Sequence, residues 1–192
     1  QRQTYFGNAQ NANSAGYITF DGGAQRSLKF TMRKTSTPSF PSPFTSVFYL
    51  SSGSSNIQIK NCIVGNADGV TPSYASSLPQ VQFNSGSNQF RFESNTRNTN
   101  ISFTAGITQR DTINPDNLGN LDTLINTNNR FMNNEISGFG YGIVSIGIGP
   151  LIKAGVNDFR PFYNLGTEIS NNLIFNVRRA GIFAAYEDGV KI

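Results

Sequence analysis

One six-residue phrase recurs in this chain and limits what it can fold into. It reads Ile59-Lys60-Asn61-Cys62-Ile63-Val64, then Phe131-Met132-Asn133-Asn134-Glu135-Ile136, then Ile169-Ser170-Asn171-Asn172-Leu173-Ile174. The shared form is apolar, any residue, Asn, then Asn or Cys, any residue, apolar. Neither a 3.6-residue helical period nor a hairpin's paired alternation accounts for it. Repetition of this kind marks an architecture that stacks like units on one another. A further apolar run follows the second copy at Tyr141–Ile146 and the third at Ile182–Ala185, each after a glycine-containing step.

Short runs at irregular spacing do not suit an antiparallel sandwich, whose strands are longer and joined by hairpins. They suit a parallel β-solenoid, in which each turn contributes several short strands that pair with the turns above and below. The asparagines then have a reason. A sharp corner needs left-handed backbone, which Asn tolerates better than most non-glycine residues. Stacked amides can also hydrogen-bond along the axis as a ladder. Asn61, Asn133 and Asn171 are the expected corner ladder, with Asn133 and Asn171 one or two turns apart. Cys62 occupies the position held by Asn134 and Asn172 in the other copies, so it reads as a small side chain stacked inside rather than a reactive thiol.

Around these copies, Tyr17–Phe20 reads as a strand closed by Asp21-Gly22-Gly23. Leu28, Phe30 and Met32 alternate with charged or polar neighbours and are expected to face inward. Val47–Leu50 returns to the core, and short alternating runs are expected at 80–83, 90–92 and 101–103. Three excursions interrupt the pattern at 35–44, 66–79 and 147–166, the first carrying Pro38, Pro41 and Pro43. Residues 110–122 read as a loop. The whole of 1–192 is one unit with insertions, and its first and last residues suggest a piece of a longer protein.

Charged residues make up only 14% of the 192 residues, and the polar remainder is largely uncharged Asn, Ser, Thr and Gly. That is not the composition of a disordered polyelectrolyte. The net charge of +4 is scattered, with its densest group at Arg26, Lys29, Arg33 and Lys34. Nucleic-acid binding would call for a basic stripe interleaved with stacking aromatics, so no nucleic acid is expected as partner. One cysteine excludes an internal disulfide, no apolar run is long enough to insert in a bilayer, and no signal peptide is present.

The segments 56–64, 133–143 and 169–174 resemble the repeats of right-handed parallel β-helix proteins of the pectin-lyase-like, Asn-rich kind. Tyr17-Ile18-Thr19-Phe20-Asp21-Gly22 is similar to the opening of such regions in large bacterial secreted and cell-surface proteins, several exported by the type IX route. The resemblance covers most of 17–192. It implies an all-β, right-handed parallel β-helix with protruding loops and an extracellular or cell-surface location.

The same family includes polysaccharide lyases and glycoside hydrolases, but the residues here do not spell out their chemistry. The chain has no His, and the acidic clusters of polygalacturonase-like sites do not occur. Asp111, Asp116 and Asp122, near Arg110 and Arg130 in sequence, match no calcium loop and read as a solvated segment. Gly138–Gly142 lacks the Lys-Ser/Thr of a phosphate loop and reads as close packing. No catalytic residue, cofactor or metal ligand is therefore assigned. Phe40, Phe44, Tyr74, Phe159, Phe162 and Tyr163 are the candidates for loop contacts with sugar rings or a neighbouring chain, unless they fold back onto the outer wall. The expected function is a non-catalytic adhesin body, stalk or assembly module, with polysaccharide or neighbouring chains as partners and end-to-end or homo-oligomeric association. The alternative is a lyase or hydrolase whose site lies partly outside this segment.

Overall fold

The computed structural model describes residues 4–6, 16–32, 44–51, 53–66, 81–84, 89–92, 103–110, 125–147, 149–150, 161–177 and 179–192, and among them are strands and turns but no helix. β1 (Thr4–Phe6) precedes a first rung made of β2 (Thr19–Asp21), β3 (Lys29–Met32) and β4 (Phe44–Leu50). The second rung starts with β5 (Gln58–Lys60) and β6 (Ile63–Asn66). An antiparallel hairpin, β7 (Val81–Asn84) with β8 (Gln89–Phe92), then comes before β9 (Phe103–Arg110). The third rung is β10 (Arg130–Met132), β11 (Glu135–Ser137) and β12 (Tyr141–Ile146). β13 (Gly149–Pro150), β14 (Pro161–Phe162) and β15 (Asn164–Leu165) lead to the fourth, β16 (Glu168–Ser170), β17 (Leu173–Phe175) and β18 (Ala180–Ala185). β19 (Glu187–Asp188) lies parallel to β15.

Like strands of successive rungs stack into three parallel sheets, ordered β2-β5-β10-β16, β3-β6-β11-β17 and β1-β4-β9-β12-β18. The register is continuous: Phe20, Ile59, Phe131 and Ile169 form one column, and Phe30, Val64, Ile136 and Ile174 another. These side chains meet Phe48, Leu50, Ile107 and Ile143 of the third sheet in a single core. Full burial of each contributes roughly 1.5–3 kcal/mol. Phe20, Phe30 and Phe48 close the first-rung end, with ring centroids 4.6–5.9 Å apart.

The third sheet is buried on both faces. Ile143 joins the main core, while its neighbour Val144 packs with Ala105, Tyr141 and Ile146 in a second cluster. A Cβ on Gly142 would stand 2.5 Å from Ile174 Cγ2 and 2.5 Å from the Gly181 carbonyl, so position 142 also faces inward. Two consecutive inward residues break the strict alternation of a strand. The ladder shows the same break, pairing Tyr141 with Ala105 and Ile143 with Ile107 with no pair between them.

Some expectations need correction. Leu28 is 38% exposed, because it precedes an edge strand of the second sheet. The run expected to end at Phe103 is the start of an eight-residue strand reaching Arg110, where a loop was expected. The spacing of Asn133 and Asn171, expected at one or two turns, is one rung, with Asn133 N donating to the Ser170 carbonyl at 3.0 Å.

Candidate functional site

Two corner columns position the polar side chains. In the first, Asn61, Asn133 and Asn171 adopt φ of 54°, 55° and 55°. In the second, Tyr17, Asn56, Asn128, Gly166 and Gly189 adopt φ of 60°, 54°, 53°, 63° and 69°. The expected corner residues are thus brought into one column, but the amides that bond the backbone of the neighbouring rung belong to the next column along. Asn134 Oδ1 accepts from Cys62 N at 3.0 Å, and its Nδ2 donates to the Ile59 carbonyl at 2.8 Å. Asn172 repeats this, with Oδ1 accepting from Asn134 N at 2.9 Å and Nδ2 donating to the Phe131 carbonyl at 2.7 Å. The geometry explains the shift: a left-handed corner residue projects outward, whereas its successor points in toward the unpaired backbone groups of the turn.

Cys62 ends that column, buried, its thiol donating to the Lys60 carbonyl at 3.1 Å. Burial pushes its pKa up, away from the reactive thiolate. Outside the corner, Asn61 Nδ2 donates to Asp21 Oδ1 at 2.8 Å, Gly23 N donates to the same oxygen at 2.9 Å, and Lys60 Nζ lies 3.2 Å from Oδ2. These contacts, led by the Asn61 bond, lower Asp21 from 3.8 to about 2. The lowered pKa means that Asp21 contributes stability above its unfolded value and loses it as pH falls from 3.8 toward about 2. Asn61→Ala should raise the Asp21 titration point toward 3.8, read from its carboxyl carbon resonance.

The second corner column leads to the most elaborate polar arrangement in the described residues, inside the stack where the third sheet meets the first. Gln109, Asn129, Ser145, Asn164 and Thr167 are all 0% exposed. Asn129 Nδ2 donates to the Ser54 carbonyl at 3.0 Å and to Gln109 Oε1 at 2.9 Å. Gln109 Nε2 donates to Ser145 Oγ at 3.0 Å and Thr167 Oγ1 at 3.1 Å. With its lone pair engaged, Ser145 directs its own hydrogen to Glu187 Oε1 at 2.6 Å. Asn164 Nδ2 donates to that oxygen at 2.7 Å. From Asn129 the donors run through Gln109 and Ser145 to the Glu187 carboxyl, while Asn129 also donates the other way, to the Ser54 carbonyl. Glu187 Oε2 and Asn164 Oδ1 are buried and have no hydrogen-bond partner. Burial raises the Glu187 pKa above 4.5, against hydrogen bonds from Ser145, Asn164 and Thr167 that lower it. This seam can hold a negative charge or a proton at one stated atom, inside the protein.

Sequence reasoning missed the seam, because a lone Glu beside a turn reads as surface and Gln109 stood next to an expected loop. The available signal was Ser145 and Gln109 at the inward positions of otherwise apolar walls.

The candidate loop contacts are distributed otherwise. Phe40, Tyr74 and Phe159, with Asp111, Asp116 and Asp122, lie outside the described residues, and Phe44 begins β4. Phe162 is 3% exposed, so its ring packs inside instead of presenting a contact surface. Tyr163 stacks on Tyr186, with centroids 6.2 Å apart and planes at 10°. Arg130 pairs with Glu168 at 3.6 Å on the outer face of the first sheet. No group of three or more His, Cys, Asp or Glu suited to a metal ion occurs among the described residues. No family model, curated protein or solved structure matches this chain.

Proposed function

We propose that the chain is a right-handed parallel β-helix segment serving as the non-catalytic body of an extracellular or cell-surface protein, such as an adhesin, stalk or assembly module. The supporting observation is where its inward-pointing amides are spent. Asn129, Asn134 and Asn172 each bond to backbone of a neighbouring rung. Such bonds resist shear and separation of rungs along the axis, which is what a spacer requires. The right-handed winding rests on the strong bias of parallel strand crossovers. Loops leaving the stack are the positions that would engage carbohydrate or a neighbouring chain.

The test has two arms. An antibody against the chain should label intact producing cells or their medium, and confinement to the cell interior would overturn the location. The purified chain should release no products from polyuronides or other polysaccharides. Turnover abolished by Arg110→Ala or Asp116→Ala would replace this reading with a lyase or hydrolase.

A further inference from the structure

We propose that Glu187 is a proton-operated latch: with a proton on Oε2 the corner 186–192 stays docked on the rung beneath it, and as a carboxylate it lets that corner loosen.

The argument starts from donors and acceptors. Oε1 accepts from Ser145 and Asn164, whereas Oε2 and Asn164 Oδ1 are two acceptors, both buried and both unpartnered. Turning the Asn164 amide over does not help, since it would set Oδ1 against Oε1 in place of a donor. Ser145 spends its hydrogen on Oε1, and Thr167, which accepts from Gln109, makes no hydrogen bond to Oε2. Within these residues, only protonation of the carboxyl converts an acceptor into a donor. A carboxylic acid then offers Oε2–H while Oε1 keeps both of its existing bonds.

Among the described residues, no charge is placed to stabilise the ionised form. Arg110 follows Gln109 on β9, so strand alternation turns it to the opposite face. Glu168 is held by Arg130 on the outer surface. Asp188 and Lys191 are exposed, and the ring of Tyr186 lies against Tyr163. Burial accordingly displaces the carboxyl upward from 4.5, with neutral hydrogen bonds alone opposing it. A raised value means that the folded corner binds the proton more tightly than the loosened one. The latch is therefore fully closed below 4.5 and is lost as pH rises through the folded value. Opening releases one proton to solvent and carries the carboxylate out to water.

The corner is held by four backbone bonds that report its state. Asn164 N donates to Tyr186 O (3.0 Å), Gly166 N to Asp188 O (2.9 Å), Lys191 N to Thr167 O (3.0 Å) and Ile169 N to Lys191 O (2.8 Å). Hydrogen exchange of these amides should be followed from acid to neutral pH in the full chain, with Arg130 and Glu135 amides as internal references. After correction for the chemical exchange rate, protection at the four amides should fall by up to about tenfold per pH unit between 4.5 and the titration point of the folded carboxyl, and level off above it. Glu187→Gln supplies a permanent donor at the same place, so its protection should be independent of pH and higher than wild type at neutral pH. The Glu187 carboxyl carbon, titrated in the wild-type chain, should move above 4.5. A Glu187 titration at or below 4.5, or the same pH dependence in wild type and Glu187→Gln, would overturn the latch.

Discussion

Replacing Phe131 with alanine is expected to lower the stability of the chain by about 3–5 kcal/mol, the cost of an aromatic-sized cavity in a packed core. Phe131 is 0% exposed and stands in register between Ile59 on one rung and Ile169 on the next. Both neighbours are held by their own ladders, so neither can slide far into the space left behind. Phe175 provides the control: it is 38% exposed and alternates with inward-packing Ile174. Its replacement by alanine should cost less than about 1 kcal/mol, as at most surface positions. Urea unfolding of both variants measures the difference, and equal shifts in midpoint would show that the inward face is wrongly assigned.

Asn134→Ala is expected to be nearly as damaging, although it removes far less volume. Its side chain satisfies Cys62 N and the Ile59 carbonyl, both inside the corner. Leaving two buried backbone groups unpaired costs roughly 1–3 kcal/mol each, so the variant should lose about 2–6 kcal/mol. The preceding residue makes a sharp comparison. Asn133 has φ of 55° and is exposed, so what that position needs is left-handed backbone. Glycine adopts that conformation without a steric cost, so Asn133→Gly should change stability by less than about 1 kcal/mol. Thermal unfolding of the pair distinguishes the two roles, and a larger loss for Asn133→Gly would reverse them.

That contrast also shows how far the chain could be read from its sequence. Asn-Asn at 133–134 and 171–172 announces a corner, and Asn61-Cys62 was recognisable as a third copy because small inward residues can replace one another there. Which asparagine turns the chain and which bonds to the next rung depends on side-chain direction, and two identical letters carry no such information. The walls were legible where they alternate, as at Phe30 and Met32, and illegible where alternation fails. The third sheet was undervalued because Gly106 and Gly142 interrupt the period and because burial on both faces erases the polar half of the pattern. Glu187 was invisible for a different reason. Its environment is assembled from Gln109, Ser145 and Asn164, which lie on separate rungs and become neighbours only once those rungs are stacked.

The spacing of the corners has one more consequence. Cys62 and Asn134 are 72 residues apart, and Asn134 and Asn172 are 38 apart, yet each pair makes the same bond across a single step. Doubling the length of a flexible connection costs only about 0.6 kcal/mol in closure entropy. What the polypeptide must inherit faithfully is therefore confined to short stretches flanking each bend, while the detour between β6 and β9 can be lengthened, shortened or exchanged as freight. Descendants of one such framework can differ widely in cargo and still share an unchanged spine.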